Sequence, residues 1–221
     1  MNNPTPEAGV QPGDFVHRFV PGQAVESAPV LLLLHGTGGS EDDLLGLGHL
    51  LAPGASLLAP RGKVLENGMP RFFRRLSEGV FDHDDLVRRS HELAAWVRVA
   101  ARAYRFDVRN VIAVGYSNGA NIAASLLLLA PGLLRGAVLF RAMLPFLPET
   151  PPDLAGTAVY LAAGKHDPLV PVQQVEALAG LLEQSKAEVT LRWSENGHRL
   201  TPEEPEAARR WLDELKRIAK A

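Results

Sequence analysis

The 221-residue chain contains no cysteine, which excludes disulfide staples, a thiolate nucleophile and cysteine-ligated metal. Net charge is also scarce. Twenty-five acidic against 23 basic side chains leave -2, so the basic footprint of a nucleic-acid binder is missing and no nucleic-acid partner is expected. The longest apolar runs, around 30–34 and 122–130, fall well short of the roughly 18 residues that cross a bilayer, so no membrane span is expected. The opening MNNPTPEAGVQPGD lacks a basic segment followed by an apolar one; it reads as a flexible lead over residues 1–13, and the expected location is cytoplasmic. What remains is 46% hydrophobic and 22% charged, a globular composition. The length suits a single α/β domain over 14–221.

Strand-like runs alternate with helical ones. Phe15 to Val20 reads as an edge strand, and Val30-Leu31-Leu32-Leu33-Leu34 as a strand covered on both faces. Further strands are expected at 55–60, 111–114, 136–141, 157–163 and 188–193. Ser40 ahead of Glu41-Asp42-Asp43 predicts a capped helix across Leu44 to Leu51. Leu86, Leu93, Trp96, Val97 and Ala100 lie at helical spacing toward Tyr104, and three more helices are predicted at 118–130, 171–184 and 202–219. This alternation implies a mostly parallel, doubly wound sheet of about seven strands with helices on both faces. Residues 61–79 show no clear periodicity and are expected to be a long functional loop.

The chemistry concentrates at Gly115-Tyr116-Ser117-Asn118-Gly119. A serine between two glycines, after an apolar strand and before a helix, fits a sharp strained turn that raises the hydroxyl above the sheet's carboxyl edge. Composition alone would produce Gly-x-Ser-x-Gly in roughly 7% of such chains, so it is the placement that makes the motif informative. A serine needs a base, and an imidazole is the usual one because its pKa lies near 6.5. Of seven histidines only His198, in Glu195-Asn196-Gly197-His198, follows the last strand. Asp167 emerges after the penultimate strand and is the expected orienting carboxylate, with Asp153 a weaker alternative because it precedes its strand. The chain order Ser117, Asp167, His198 is that of α/β-hydrolases. Backbone N–H groups of Thr37, in His35-Gly36-Thr37-Gly38-Gly39, and of Asn118 are the expected oxyanion donors. His35 is expected to shape that glycine loop, and His166 to point away.

Other residues carry two readings each. Phe72, Phe73 and Phe81 are candidates for a substrate wall and equally for a satellite core. Arg71, Arg74 and Arg75 sit near Glu66, Glu78 and Asp82, which favours mutual pairing over substrate charge selection. Asp82-His83-Asp84-Asp85 has metal-ligand residue types but reads as a helix start; no metal and no cofactor are expected.

Together, "LLLLHGTGG", "GYSNGANIAASLLLL", "AAGKHDPLVP" and "NGHRLT" resemble the small bacterial serine carboxylesterases of the phospholipase/carboxylesterase group, relatives of acyl-protein thioesterases, over nearly all of 29–215. Within that group, "RGKVLENGMPRFFRR" and "GVFDHDDL" are similar to a branch of hydrolases associated with hydroquinone and catechol resistance. The resemblance implies an α/β-hydrolase fold and a nucleophile, acid and base at Ser117, Asp167 and His198, with oxyanion amides at Thr37 and Asn118. It also implies a small-molecule ester as substrate; dimers are common among such proteins. Many relatives carry Gln where Asn118 stands, and Phe72-Phe73-Arg74-Arg75 replaces the Trp-Phe-Asp-like loop of acyl-protein thioesterases. The expected activity is carboxylesterase, through an acyl-enzyme, on small or medium acyl groups. A thioesterase or lysophospholipase would use the same groups, and a non-catalytic scaffold would use none of them.

Overall fold

The computed structural model describes residues 11–23 and 28–218. Of the lead expected over 1–13, residues 1–10 lie outside this range, whereas Pro12–Asp14 forms a 3-10 turn whose Pro12 carbonyl accepts a 2.9 Å hydrogen bond from Trp96 Nε1. Seven strands build the main sheet: β1 (His17–Val20), β2 (Val30–Leu34), β3 (Ser56–Pro60), β8 (Val111–Tyr116), β9 (Gly136–Phe140), β10 (Ala158–Gly164) and β11 (Glu188–Ser194). Their order is β1-β3-β2-β8-β9-β10-β11, with only β1 antiparallel to its neighbour. Two small hairpins, β4 (Val64–Glu66) with β5 (Met69–Arg71) and β6 (Arg75–Ser77) with β7 (Val80–Phe81), stand apart from it.

Side chains alternate across a strand, and here both faces are dry. Leu32 and Leu34 join the core built with α2 (His83–Tyr104), α3 (Asn118–Leu129) and α4 (Val172–Gln184). Leu31 and Leu33 instead meet Leu51 of α1 (Leu45–Leu51) and Ala208 and Leu212 of α5 (Glu203–Ile218). That two-sided burial explains why β2 is apolar without interruption. Residue 219, the last of the expected final helix, lies outside the described residues.

Two expectations are corrected. Ser40 does not cap α1: the N-cap position is Leu44, without a side-chain bond, and Ser40 Oγ instead donates to Asp43 Oδ1 at 2.7 Å. The neighbouring acids serve longer-range ties, Glu41 to Arg61 and Asp42 to Arg18. Nor is 61–79 irregular, because it folds into the two hairpins. Asn67 and Gly68 link paired Glu66 and Met69 with φ of 52° and 79°, the conformation that two-residue primed turns require. By contrast Asp82 does cap α2, its side chain accepting from Asp85 N at 3.0 Å.

Chain order places the site. From β2 the chain crosses to β3 on one side, while β8 lies on the other side of β2 and leads on to β9. The crevice outside the carboxyl ends of β2 and β8 is therefore a topological switch point, where ligands bind in open α/β sheets.

Candidate active site

Ser117 stands at that point, between β8 and α3, with φ 53° and ψ -115°. Non-glycine residues rarely adopt such a backbone, and it persists here because the surroundings over-determine it. A Cβ on Gly119 would come within 1.9 Å of Leu34 O, and one on Gly115 within 2.6 Å of Ala120 Cα. The flanking glycines thus let α3 pack directly onto β2 and β8. Ser117 N donates to Phe140 O at 2.9 Å, tying the turn to the end of β9.

The three residues that sequence order singled out meet here. His198 Nε2 lies 3.0 Å from Ser117 Oγ, and His198 Nδ1 lies 2.8 Å from Asp167 Oδ2. The Asp167 side chain is fully buried, and its second oxygen accepts from Leu169 N at 2.8 Å and Val170 N at 3.2 Å. A carboxylate only accepts, so Nδ1 carries the imidazole proton and Nε2 turns its lone pair to the serine hydroxyl. Such an arrangement can take the hydroxyl proton as the oxygen attacks a carbonyl. Asp153 is remote from this, exposed and paired with Lys186. His166 is exposed beside Glu195.

Thr37 follows β2 in the glycine loop, and Asn118 is the first residue of α3, where a helix leaves its N–H groups without intrahelical partners. His35 beneath the loop is buried; its Nδ1 donates to Gly36 O at 2.6 Å and its Nε2 accepts from Gly62 N at 3.0 Å. Accepting at Nε2 requires a neutral ring, and burial pushes its pKa down, outweighing the nearby acceptor and acids that raise it.

The segment 61–81 is stitched onto this loop. Gly38 N donates to Pro70 O at 2.9 Å, Arg71 Nη1 to Thr37 Oγ1 at 2.8 Å, and Phe72 N to Asn118 Oδ1 at 2.8 Å. Arg71 is buried, with Nε donating to Phe73 O and lying 3.1 Å from Glu66, while Arg75 meets the other oxygen of Glu66. Arg74 pairs with Asp82. The roles of the Arg71 and Asn118 side chains escape sequence reasoning, because their partners are distant in the chain.

A cavity of about 340 Å³ opens above Ser117 and His198. Phe81, Met143, Leu169 and Val170 give it an apolar side, and Arg71 and Arg75 a polar one. Phe72 and Phe73 do not line it. Both are buried in the core, Phe72 against His35 and Phe73 edge-on to Phe81. Among the described residues, no group of three or more histidine or acidic side chains is placed to hold a metal, and no helix is long and apolar enough to cross a membrane. Asp85 of the acidic run is buried and holds Arg74 N and the Arg88 side chain.

The chain is similar to known proteins in sequence and, for solved structures, in fold. MhqD of Bacillus subtilis (strain 168) is 54% identical over 185 residues, covering 84% of this chain and 92% of its own. The crystal structure of the Bacillus cereus carboxylesterase is 50% identical, covers 91% of this chain and 94% of that one, and superposes with a TM-score of 0.89. A Mesorhizobium loti carboxylesterase is 34% identical, with 90% and 94% covered and a TM-score of 0.83. The sequence pattern of phospholipase/carboxylesterase proteins matches residues 17–216. With the seven-stranded sheet and these relatives, the chain belongs to the phospholipase/carboxylesterase family of α/β-hydrolases.

Proposed function

We propose that the protein is a carboxylesterase that cleaves esters of small or medium acyl groups through an acyl-enzyme on Ser117. The observation that carries this is the continuous chain from Ser117 Oγ through both nitrogens of His198 to Asp167, with links of 3.0 and 2.8 Å. His198 takes the serine proton while Oγ bonds to the ester carbonyl carbon. Thr37 N–H and Asn118 N–H receive the oxyanion. His198 then passes the proton to the departing alkoxide, and the acyl group stays on Oγ. A water, deprotonated by the same nitrogen, attacks the acyl carbon and releases the acid, returning the proton to Ser117. Asp167 orients the ring and faces the positive charge it acquires during each transfer. In a cavity of about 340 Å³ the apolar wall of Phe81, Met143, Leu169 and Val170 offers a small or medium acyl group a surface to pack on.

A fluorophosphonate probe should label the wild-type enzyme on Ser117 and leave Ser117→Ala unmodified. Ser117→Ala should lose at least about 10⁴-fold in kcat on p-nitrophenyl acetate, the scale on which removing such a nucleophile acts. A non-catalytic scaffold would give no adduct. Steep preference for p-nitrophenyl palmitate over the acetate would instead favour a thioesterase or lysophospholipase.

A further inference from the structure

Arg141 follows β9 directly, is fully buried, and is absent from the walls of the cavity. Its backbone lies at φ 60°, and its N–H donates to Ala162 O at 2.9 Å. All five guanidinium N–H groups find acceptors. Nε donates to Gly197 O at 2.9 Å and Nη2 to Arg199 O at 2.9 Å. Nη1 reaches Ala162 O at 3.3 Å, and the two terminal nitrogens grip both oxygens of Glu204 at 2.6 and 2.9 Å. Glu204, in the first turn of α5, also accepts from Thr201 N at 2.9 Å. Arg141 Nε lies 3.9 Å from Asp167 Oδ2.

Two of the three carbonyls that the Arg141 side chain holds, those of Gly197 and Arg199, flank His198, whose own carbonyl accepts from Tyr116 Oη at 3.1 Å. Three successive carbonyls, 197 to 199, are thus fixed by side chains from the ends of β8 and β9. The guanidinium thereby ties the segment on either side of one histidine to the end of β9. Lysine, a compact charge with three donors, cannot reproduce a planar five-donor fork.

We propose that Arg141, clamped by Glu204, is the positioning residue of the base. It fixes the backbone on both sides of His198 so that Nε2 stays within reach of Ser117 Oγ, and it acts without touching substrate. The inference rests on the reading of His198 as the base. It also accounts for the left-handed backbone of a non-glycine residue, since that turn directs the side chain back under the histidine loop.

The test compares Arg141→Lys and Glu204→Gln with wild type and with His198→Ala. It measures kcat and KM on p-nitrophenyl acetate, the fluorophosphonate labelling rate per folded site, and the melting temperature. Arg141→Lys should lose about 100-fold in kcat with KM within about threefold, the penalty of a misplacement near 1 Å, and labelling should slow by the same factor. Glu204→Gln, which keeps the arginine, should lose about tenfold in kcat, and it decides the matter where Arg141→Lys does not fold. The inference is overturned if the folded variant keeps kcat and labelling within threefold of wild type while His198→Ala is inactive. Activity surviving in His198→Ala would overturn the reading of the base itself, and this inference with it.

Discussion

The turn at Ser117 and the excursion over 61–81 lie against each other, yet they are specified in opposite ways. The turn is fixed by contacts that tolerate no additional atom: Gly115 and Gly119 press on backbone within 2.6 and 1.9 Å of where a Cβ would stand. The excursion is held by dispersed polar ties, from Gly62, Pro70, Arg71 and Phe72 to His35, Gly38, Thr37 and Asn118. The first kind of specification is legible as a local motif, although the backbone that Gly119 presses on belongs to Leu34, far along the chain. The second depends on which distant groups arrive, and it decides the shape of the cavity more than the exposure of Ser117.

The comparison breaks most decisively at Gly119. Gly119→Ala should push α3 away from β2, costing about 3 kcal/mol or more of stability and at least about 100-fold in kcat, seen by melting and by initial rates. Arg71→Ala should act differently. It leaves the half-buried Glu66 with Arg75 alone and removes the hydrogen bonds to the Thr37 hydroxyl and the Phe73 carbonyl, a stability loss of about 1–2 kcal/mol. Because Ser117, His198 and Asp167 do not touch Arg71, fluorophosphonate labelling should survive while KM rises for esters that fill the cavity.

The smallest effect is a pH dependence at the tie between His35 and the excursion. His35 is held below its ordinary pKa by burial, so below about pH 6.5 the unfolded chain binds a proton that the native ring refuses. Stability should therefore fall as pH drops from about 6.5 toward 5 and should be insensitive to this ring above it. Glu204, whose pKa is raised by burial but lowered more by Arg141 and Thr201, loses its contribution only further down, below about pH 4.5. Melting curves of wild type and His35→Gln between pH 5 and 7.5 isolate the ring, since only wild type should lose ground across that window on its account.

Sequence order singles out Ser117, Asp167 and His198 because each follows a strand of the parallel sheet, and strand ends of a parallel sheet share one edge. Phe72 and Phe73 were ambiguous for a physical reason. An aromatic side chain serves a core or a wall equally well, and only the Phe72 N to Asn118 bond and the packing on His35 turn these two inward. Asn67-Gly68 was a readable hairpin signal inside a stretch too short for any periodicity. Ser40 does not cap α1 because the helix begins only at Leu45, and its hydroxyl instead closes the preceding turn, accepting from Asp42 N and donating to Asp43. Arg141 left no trace in the sequence. Nothing local indicates that an arginine after an apolar strand bends into αL and ends beneath a loop 56 residues away.

Asp167 presents one oxygen to two main-chain amides and the other to the imidazole, and these two faces are not interchangeable. An asparagine there would keep its carbonyl toward Leu169 and Val170, because an NH₂ would oppose two donors. Its NH₂ would then meet Nδ1, which must surrender its hydrogen to the far side of the ring. That hydrogen would point at the alcohol, leaving the ring with nothing to accept it. An isosteric change of one atom would thus disarm the enzyme while hardly altering its shape, with the amides after the acid as the cause.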